Sequence, residues 1–293
     1  MPAATLTARD GPAQLGVAPL LLAPAVLLVV LLFLYPAAYG AFLSFQPLHG
    51  DAWENYRHFF GTPRLAGTIL TTLGIAIPAT LINVGLALPV AYRLRTPWRH
   101  QRLVTTILVV PITLGTVLVA DGLLSYLGPQ GWFNRMLLSL HLTAAPVRLV
   151  HNYWGVLMSL VIVGFPFAFL LLLSFATGID PALSRAAATL GARPGAQFRY
   201  IALPLLAPGL AMTAALCFVQ AFAVFPSAVL VGAPSGQTYV ISIAAYEAAF
   251  EQFDAPLGST IALVMGLVQL AVVGAVLGLR GLAYRGPAGG GKG

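Results

Sequence analysis

Few residues in this chain have the types and spacing that chemistry requires. None of the five histidines pairs with an acid at the H-E-x-x-H spacing of a zinc hydrolase. The one Gly-Lys pair, Gly291-Lys292, is followed by glycine instead of serine or threonine, so it does not form a phosphate-binding loop. The single cysteine, Cys217, excludes an internal disulfide and a cysteine metal cluster. We therefore expect this chain to hold no catalytic residue, metal or cofactor of its own.

Among the polar residues within long apolar runs, where a polar group is costly, three are candidates for contact with a solute. Asp121 is one of them. A charge at the centre of a bilayer costs about 2.5–3.5 kcal/mol, so the Asp121 carboxylate should face protein or water. It either meets a cationic solute or is hydrated close to the membrane surface. Asn83 and Gln220 either line a solute pathway or form hydrogen bonds between helices.

Acidic residues near the C-terminal end form a second candidate site. Glu247, Glu251 and Asp254 lie at i, i+4 and i+7 with an aromatic stripe alongside, which predicts an amphipathic helix at the outer membrane interface. Three carboxylates on one face could guide a cation or a soluble binding protein, or they could simply form a solvated face. Their spacing matches no known calcium-binding loop.

The composition indicates which elements must position these residues. Hydrophobic residues make up 59% of the 293-residue chain and charged residues only 8%, against roughly 25% charged residues in soluble domains. The sequence therefore predicts an all-α integral membrane protein. Six segments are long and apolar enough to cross a bilayer as helices. The predicted spans cover residues 17–41, 66–92, 103–126, 150–177, 203–231 and 257–279.

The distribution of positive charge predicts the orientation of these spans. If the N-terminus is cytoplasmic, eleven of the fifteen Lys and Arg residues lie on cytoplasmic segments and four on outer segments. Cytoplasmic loops carry such an excess. We therefore expect both termini, and a polar segment at residues 180–203, to be cytoplasmic. Membrane topology and anionic lipid explain the net charge of +7 better than nucleic acid does.

The polar segment at residues 180–203 should form a small helical hairpin along the inner membrane surface. Asp180 and Pro181 form a good helix start, and Gly191 ends the helix. Between them an apolar stripe with i, i+3, i+4 and i+7 spacing consists of Leu183, Ala186, Ala187 and Leu190. A second short helix should follow, and Pro204 should begin the fifth span. The hairpin either caps its own bundle or docks a soluble partner.

The spacing of this segment resembles the EAA signature of ABC importer permeases. That signature has two alanines, a glycine, nine further residues and then I-x-L-P. The matching residues here are Ala186, Ala187, Gly191, Ile201, Leu203 and Pro204. The run GPQGWFN at residues 128–134 resembles the G-x-x-G-x-x-N turn of these permeases. Residues 246–270 resemble their polyamine, thiamine and ferric-ion branch.

The resemblance implies a type I ABC importer permease fold with six transmembrane helices and a cytoplasmic helix-turn-helix coupling insert. Two permease subunits, identical or homologous, would form a channel through the inner membrane. Two ABC ATPase subunits would bind ATP and Mg²⁺, and each would receive one coupling insert. A periplasmic or lipid-anchored binding protein would deliver a small solute. The implied ATPase-coupling residues are Leu183, Ser184, Arg185, Ala186, Ala187, Leu190, Gly191, Ile201 and Pro204.

The chain departs from the signature at Arg185, where the family usually has glutamate. An acidic residue on the ATPase could compensate for the reversed charge. The Asp-Gly pair common in sugar permeases is absent, since Thr189 and Leu190 precede Gly191 here. A sugar-type permease is one alternative. An ion-coupled secondary transporter is another, although it would favour paired charges inside the membrane.

The predicted organisation places most of the chain in one membrane unit. It comprises a cytoplasmic tail at residues 1–14, a first transmembrane helix with an outer loop at 15–64, a five-helix permease core at 65–282 that contains the insert at 180–203, and a flexible tail at 283–293.

Overall fold

A computed structural model describes residues 24, 26–96, 99 and 101–283, the last four of these as backbone only. Every regular element in that part of the chain is helical, and six helices are long and apolar enough to span a membrane. The helices are α1 (Val26–Ser44), α2 (Glu54–Gly61), α3 (Pro63–Leu94), α4 (Gln101–Leu127), α5 (Trp132–Ser139), α6 (Tyr153–Thr177), α7 (Pro181–Thr189), α8 (Pro194–Phe222), α9 (Pro226–Leu230), α10 (Ile241–Tyr246) and α11 (Ala255–Ala283).

Helix α6 lies at the centre of the bundle, and α1 lies at its edge. More than half of the most apolar stretch of α6, 56%, is buried inside the chain, whereas the corresponding stretch of α1 is 0% buried. Small residues allow the close approach of α3 to its neighbours, because Ala76, Ala79 and Ala87 are fully buried. The large exposed aliphatic surface of α1 is compatible with lipid, since the membrane interior is itself apolar.

The six predicted spans are confirmed, but some of their bounds differ. The first helix continues to Ser44, beyond the predicted end at residue 41, while residues 17–23 lie outside the described part of the chain. The fifth span was predicted to end at residue 231, and this is wrong. Helix α8 ends at Phe222, and the separate helix α9 begins at Pro226. Proline disfavours a helical conformation in the residue before it, so a break here is expected.

Helix α4 contains a break at Gly115. Gly115 has φ 72° and ψ 164°, a conformation outside the helical region that is essentially restricted to glycine. Pro111 lies one turn earlier and removes a helical hydrogen bond. The helix therefore consists of two pieces joined at Gly115, and the second piece carries Asp121.

The turn between α4 and α5 is built on one buried asparagine. The Asn134 side chain is 0% exposed, and its Nδ2 donates to the carbonyl oxygens of Gly128 at 2.9 Å and Val147 at 3.1 Å. Its Oδ1 accepts from the Val147 amide at 2.8 Å. Gly131 has no room for a side chain, because a Cβ would lie 2.3 Å from the Tyr126 carbonyl oxygen. This geometry explains the two glycines and the asparagine of the GPQGWFN run.

Candidate functional site

Helix α7 is fixed at both ends by local hydrogen bonds. The Asp180 carboxylate accepts from the Ala182 amide at 2.8 Å, as an N-cap residue does, and Pro181 is the first helical residue. Gly191 has φ 80°, in the left-handed region that favours glycine. Its amide and the following one donate to the carbonyls of Ala188 and Ala187, each at 3.0 Å, which is a Schellman C-cap. The predicted start and stop of this helix are therefore confirmed.

The apolar stripe of α7 faces away from the bundle. Leu183 is 46% exposed and Leu190 is 88% exposed, and Ala186 is exposed between them. Only Ala187 of the stripe is half-buried. The stripe therefore does not cap the chain's own helices. Arg185 is also exposed and has no ion-pair partner among the described residues.

The second arm of the hairpin is the first part of α8, not a separate helix. Helix α8 is continuous from Pro194 to Phe222, so the prediction that Pro204 begins the fifth span is wrong. A π-helical turn at Phe198–Ala202 explains the continuity, since the Leu203 amide donates to the Phe198 carbonyl and the hydrogen-bond pattern changes just before the proline. Ile201 lies in this turn and is half-buried.

A cavity of about 120 Å³ lies among the membrane helices and contains two of the predicted polar residues. Asn83 of α3 and Gln220 of α8 both line it, together with Thr116 next to the α4 break, Cys217 of α8 and Ser227 of α9. All of the described residues that line it are uncharged. The cavity can therefore exchange hydrogen bonds with a small polar molecule but offers no charge to it.

Asn83 has one unsatisfied hydrogen-bonding atom beside this cavity. The side chain is 2% exposed, and its Nδ2 donates to the Leu160 carbonyl of α6 at 3.3 Å. The Oδ1 atom is buried and has no partner among the described residues. Gly164 provides the space for the amide, because a Cβ at that position would lie 2.2 Å from Asn83 Nδ2. The Asn83 side chain thus joins α3 to α6 through its Nδ2 atom and leaves its Oδ1 atom as a free acceptor.

Asp121 does not join this group. It lies in the second piece of α4 and is exposed, and it is not among the residues that line the cavity. Thr116, five positions earlier on the same helix, is the α4 residue that does line the cavity. The structure therefore brings Asn83 and Gln220 together and leaves Asp121 apart.

The three acidic residues near the C-terminal end do not form the single face that their spacing predicts. Glu247 Oε2 accepts a 2.6 Å hydrogen bond from the phenol of Tyr239, which is 8% exposed. The Arg64 guanidinium lies 4.5 Å from the centre of the same phenol ring. Burial, followed by the hydrogen bond to Glu247, raises the pKa of Tyr239, so the phenol remains a neutral donor. Glu247 is thus half-buried and bonded to the buried Tyr239 phenol.

The other two acids have different positions. Asp254 Oδ1 accepts from the Leu257 amide at 2.9 Å and caps the N-terminus of α11. Glu251 alone is exposed and ends the π-helical turn Glu247–Glu251 that extends α10. The opposite side of α10 is buried in the main core, so this segment packs into the bundle instead of lying flat on its surface.

The sequence profile of the family described as binding-protein-dependent transport system inner membrane component matches residues 83–279. The matched range contains α7 and the cavity residues of α3, α4, α6, α8 and α9. The chain belongs to this family. It is therefore an ABC importer permease of the binding-protein-dependent type, and the resemblance seen in the sequence is confirmed.

Relatives of the permease include two proteins named for polyamines. The spermidine/putrescine transport system permease protein PotB of Haemophilus influenzae is 29% identical over 61% of this chain and 63% of that protein. PotB of Escherichia coli K12 is 29% identical over 74% of this chain and 80% of that protein. The molybdenum transport system permease protein ModB of Mycobacterium bovis is 26% identical over 82% and 90%. The chain thus spans under two thirds of the Haemophilus relative and most of the other two.

Solved structures support the fold of the permease. A chain from a bacterial ABC transporter involved in the import of the acidic polysaccharide alginate has a TM-score of 0.76 and 19% identity, covering 91% of this chain and 95% of that one. A chain of the alginate transporter in complex with an alginate pentasaccharide-bound periplasmic protein also gives a TM-score of 0.76, at 21% identity. The predicted all-α, six-helix permease fold is confirmed by this similarity.

Several cavity residues of the permease were not singled out in the sequence. Thr116, Gly164 and Ser227 lie in apolar runs where small residues are common, and no spacing marks them. Ser227 Oγ lies 2.8 Å from Ser159 Oγ and joins α9 to α6. The one usable signal was Pro226, which predicts a helix start beside Ser227.

Proposed function

We propose that this permease forms part of the transmembrane channel of an ATP-driven importer, which receives a small solute from a periplasmic binding protein and moves it inward. The family supports the transport role, and the bundle of six apolar helices supports the location in the inner membrane. The excess of positive residues supports cytoplasmic placement of both termini and of α7.

The exposed apolar stripe of α7 is the observation that carries the coupling role. A contiguous apolar stripe with Leu183 46% and Leu190 88% exposed, on a short helix with both ends capped, is typical of a surface that another protein covers. The stripe is narrow, and its alanines permit close approach of a second backbone. Helix-in-groove docking uses such i, i+3, i+4 and i+7 anchors.

The proposed assembly has several partners. Two ABC ATPase subunits bind ATP and Mg²⁺ and receive α7 in a groove. A second permease subunit, identical or homologous, completes the channel. A periplasmic or lipid-anchored solute-binding protein delivers the solute, and lipid surrounds the helices. Nucleic acid is not a proposed partner.

The proposed solute is small. The cavity of about 120 Å³ is well below the roughly 300–1,000 Å³ of pockets that enclose drug-sized ligands. Two of the relatives are named for spermidine and putrescine, and one for molybdenum. The names of these relatives support a polyamine or another small ion as the solute, although the described residues that line the cavity carry no charge. A sugar-type permease remains the second candidate because the solved alginate transporter shares the fold.

A co-purification experiment tests the coupling role. Leu190→Asp places a charge on the exposed stripe, whereas Ala188→Asp places the same charge on an exposed position away from it. We expect Leu190→Asp to weaken association with the ATPase by about tenfold or more, because a buried interface anchor contributes on the order of 2 kcal/mol. The Ala188→Asp variant should retain most of the ATPase. Both variants should insert in the membrane at the wild-type level.

Two results would count against this function. If Leu190→Asp and Ala188→Asp co-purify the same amount of ATPase, α7 is not the docking helix. Solute uptake by the purified chain alone, without ATP, would favour an ion-coupled secondary transporter instead.

A further inference from the structure

Helix α7 is joined to the membrane bundle by a single side-chain hydrogen bond among the described residues. Arg95 Nη2 donates to Ser184 Oγ at 3.0 Å across 89 positions of the sequence. The other side-chain hydrogen bonds of the hairpin, from residues 180 to 197, are local to it. Besides the backbone on either side of the hairpin, Arg95 is therefore a direct polar path by which a displacement of α7 can reach the bundle.

Arg95 is held in a defined position by aromatic residues. It follows the last residue of α3, and its Nη2 also donates to the Tyr92 hydroxyl at 3.1 Å. Its guanidinium lies 4.1 Å from the centre of the Tyr92 ring, within cation–π range. The Tyr92 ring in turn packs edge-on against Phe198 of α8 at 4.8 Å. Arg95 thus contacts α7 from a platform shared by α3 and α8.

Helix α3 connects this platform to the cavity. It is continuous from Pro63 to Leu94 although it contains Pro78 and Pro89. Asn83 precedes Arg95 by twelve residues, which corresponds to about 18 Å of helix. Between them, Ala87, Ala91 and Leu94 pack in one buried cluster with residues of α6 and α8. The cytoplasmic half of α3 is therefore a packed rod with Arg95 at one end and Asn83 at the other.

We propose that Arg95 is a positioning residue that transmits the movement of α7 to α3, and through α3 to the cavity beside Asn83. The inference rests on the proposed function, because it requires that an ATPase moves α7. The guanidinium performs the role by geometry: its planar fork stacks on Tyr92 while one nitrogen reaches Ser184. Lysine offers a point charge without the planar fork and cannot reproduce both contacts.

A simple topological role for Arg95 makes a different prediction. Positive charge at the cytoplasmic end of α3 helps to orient the helix, and lysine would serve equally well there. Arg93 provides the matched control, since it carries the same charge two residues away, is exposed, and makes no described side-chain hydrogen bond. Loss of the Arg93 charge should therefore affect topology as much as loss of Arg95, without affecting transmission.

Cys217 is a native reporter for the test, because it is 2% exposed and lines the same cavity as Asn83. The complex with its co-purified ATPase is placed in nanodiscs, and the rate of N-ethylmaleimide modification of the Cys217 peptide is measured by mass spectrometry. The rate is compared without nucleotide and with Mg²⁺ and a non-hydrolysable ATP analogue. In the wild type we expect these two rates to differ by about fivefold or more, the usual lower range of coupling between sites.

The variants then distinguish the explanations. In Arg95→Lys and Arg95→Ala, the nucleotide should change the rate of Cys217 modification by less than about twofold, which is below the usual range of coupling. The ATPase should still co-purify with both variants. Arg93→Ala should keep the wild-type response. The inference is overturned by a wild-type response in Arg95→Lys, by an equal loss in Arg93→Ala, or by a wild-type rate that nucleotide does not change. Failure of the ATPase to co-purify with the wild type would instead contradict the proposed function.

Discussion

At the scale of single residues, Gly164 and Asn83 determine how closely α6 and α3 approach beside the cavity. The asparagine amide occupies the space that a side chain at position 164 would fill, and it bonds the Leu160 carbonyl from there. The same contact leaves the Asn83 Oδ1 without a partner among the described residues. One glycine therefore supports both the packing of two helices and the polarity of the cavity.

Gly164→Ala should lower the stability of the permease. The new methyl group would displace the Asn83 amide and break its buried hydrogen bond, at a cost of about 1–3 kcal/mol. Gly85→Ala is the matched control on α3, because nothing lies within 4 Å of its Cβ position. Thermal unfolding in detergent should show a lower Tm for Gly164→Ala alone. Equal Tm values for the two variants would mean that the asparagine moves freely.

The sequence predicted part of this arrangement at the residue scale. Asn83 and Gln220 were recognised as polar residues inside apolar runs, and they do line one cavity. Their partners could not be predicted, because glycine and serine in an apolar run carry no periodic signal. The Arg95–Ser184 contact was also invisible, since it joins residues 89 positions apart. Spacing within one helix predicts neighbours on that helix, whereas contacts between helices depend on their packing.

At the scale of elements, the break in α4 brings Thr116 to the cavity. Gly115 adopts φ 72° and ψ 164°, and nothing lies within 4 Å of its Cβ position. The reason for glycine there is the backbone conformation and not a lack of space.

Gly115→Ala should lower stability, whereas Gly122→Ala should not. Both positions on α4 have open space, but only Gly115 is outside the helical region. Alanine at 115 should cost about 1–3 kcal/mol of conformational strain. Alanine at 122 should be neutral or stabilise by up to about 1 kcal/mol, because it restricts the unfolded chain. Tm measurements on the two variants check this, and a higher Tm for Gly115→Ala would show that the break is dispensable.

The sequence predicted elements better than their ends. Hydrophobic length was sufficient to find all six spans, and the capping residues placed the ends of α7 correctly. The fifth span failed at both ends. Its start was hidden because a π-helical turn accommodates Pro204, and its end because the residues between Phe222 and Pro226 are as apolar as the helix before them. The hydrophobicity of a segment indicates that it is buried in lipid or protein. A short break in a helix inside the membrane leaves that hydrophobicity unchanged, so it cannot be detected this way.

At the scale of the whole molecule, the charge distribution predicts which face of the bundle meets the cytoplasm. Helix α6 separates the loop after α5 from α7, so these two regions lie on opposite sides of the membrane. Positive residues are more frequent on the side of α7. This orientation is required for a soluble ATPase to reach the exposed stripe.

Cysteine labelling tests the orientation directly. In a Cys217→Ala background, Leu142→Cys places a thiol in the loop after α5, where the leucine is 67% exposed, and Ala188→Cys places one on α7. A membrane-impermeant maleimide added to intact spheroplasts should modify Leu142→Cys and leave Ala188→Cys unmodified until the cells are lysed. The reverse pattern would invert the molecule and exclude α7 as a site for a cytoplasmic motor.

Helix α3 is longer than the membrane interior is thick. Its 32 residues correspond to about 48 Å, whereas the hydrocarbon layer is only about 30 Å thick. Even a steep tilt of about 40° leaves part of such a helix outside the lipid tails. At least one end of α3 therefore projects beyond the oily layer, and how far it projects depends on the thickness of the surrounding membrane. If an ATPase moves α7 as proposed, lipids with longer or shorter tails should change how much of that movement reaches the cavity beside Asn83.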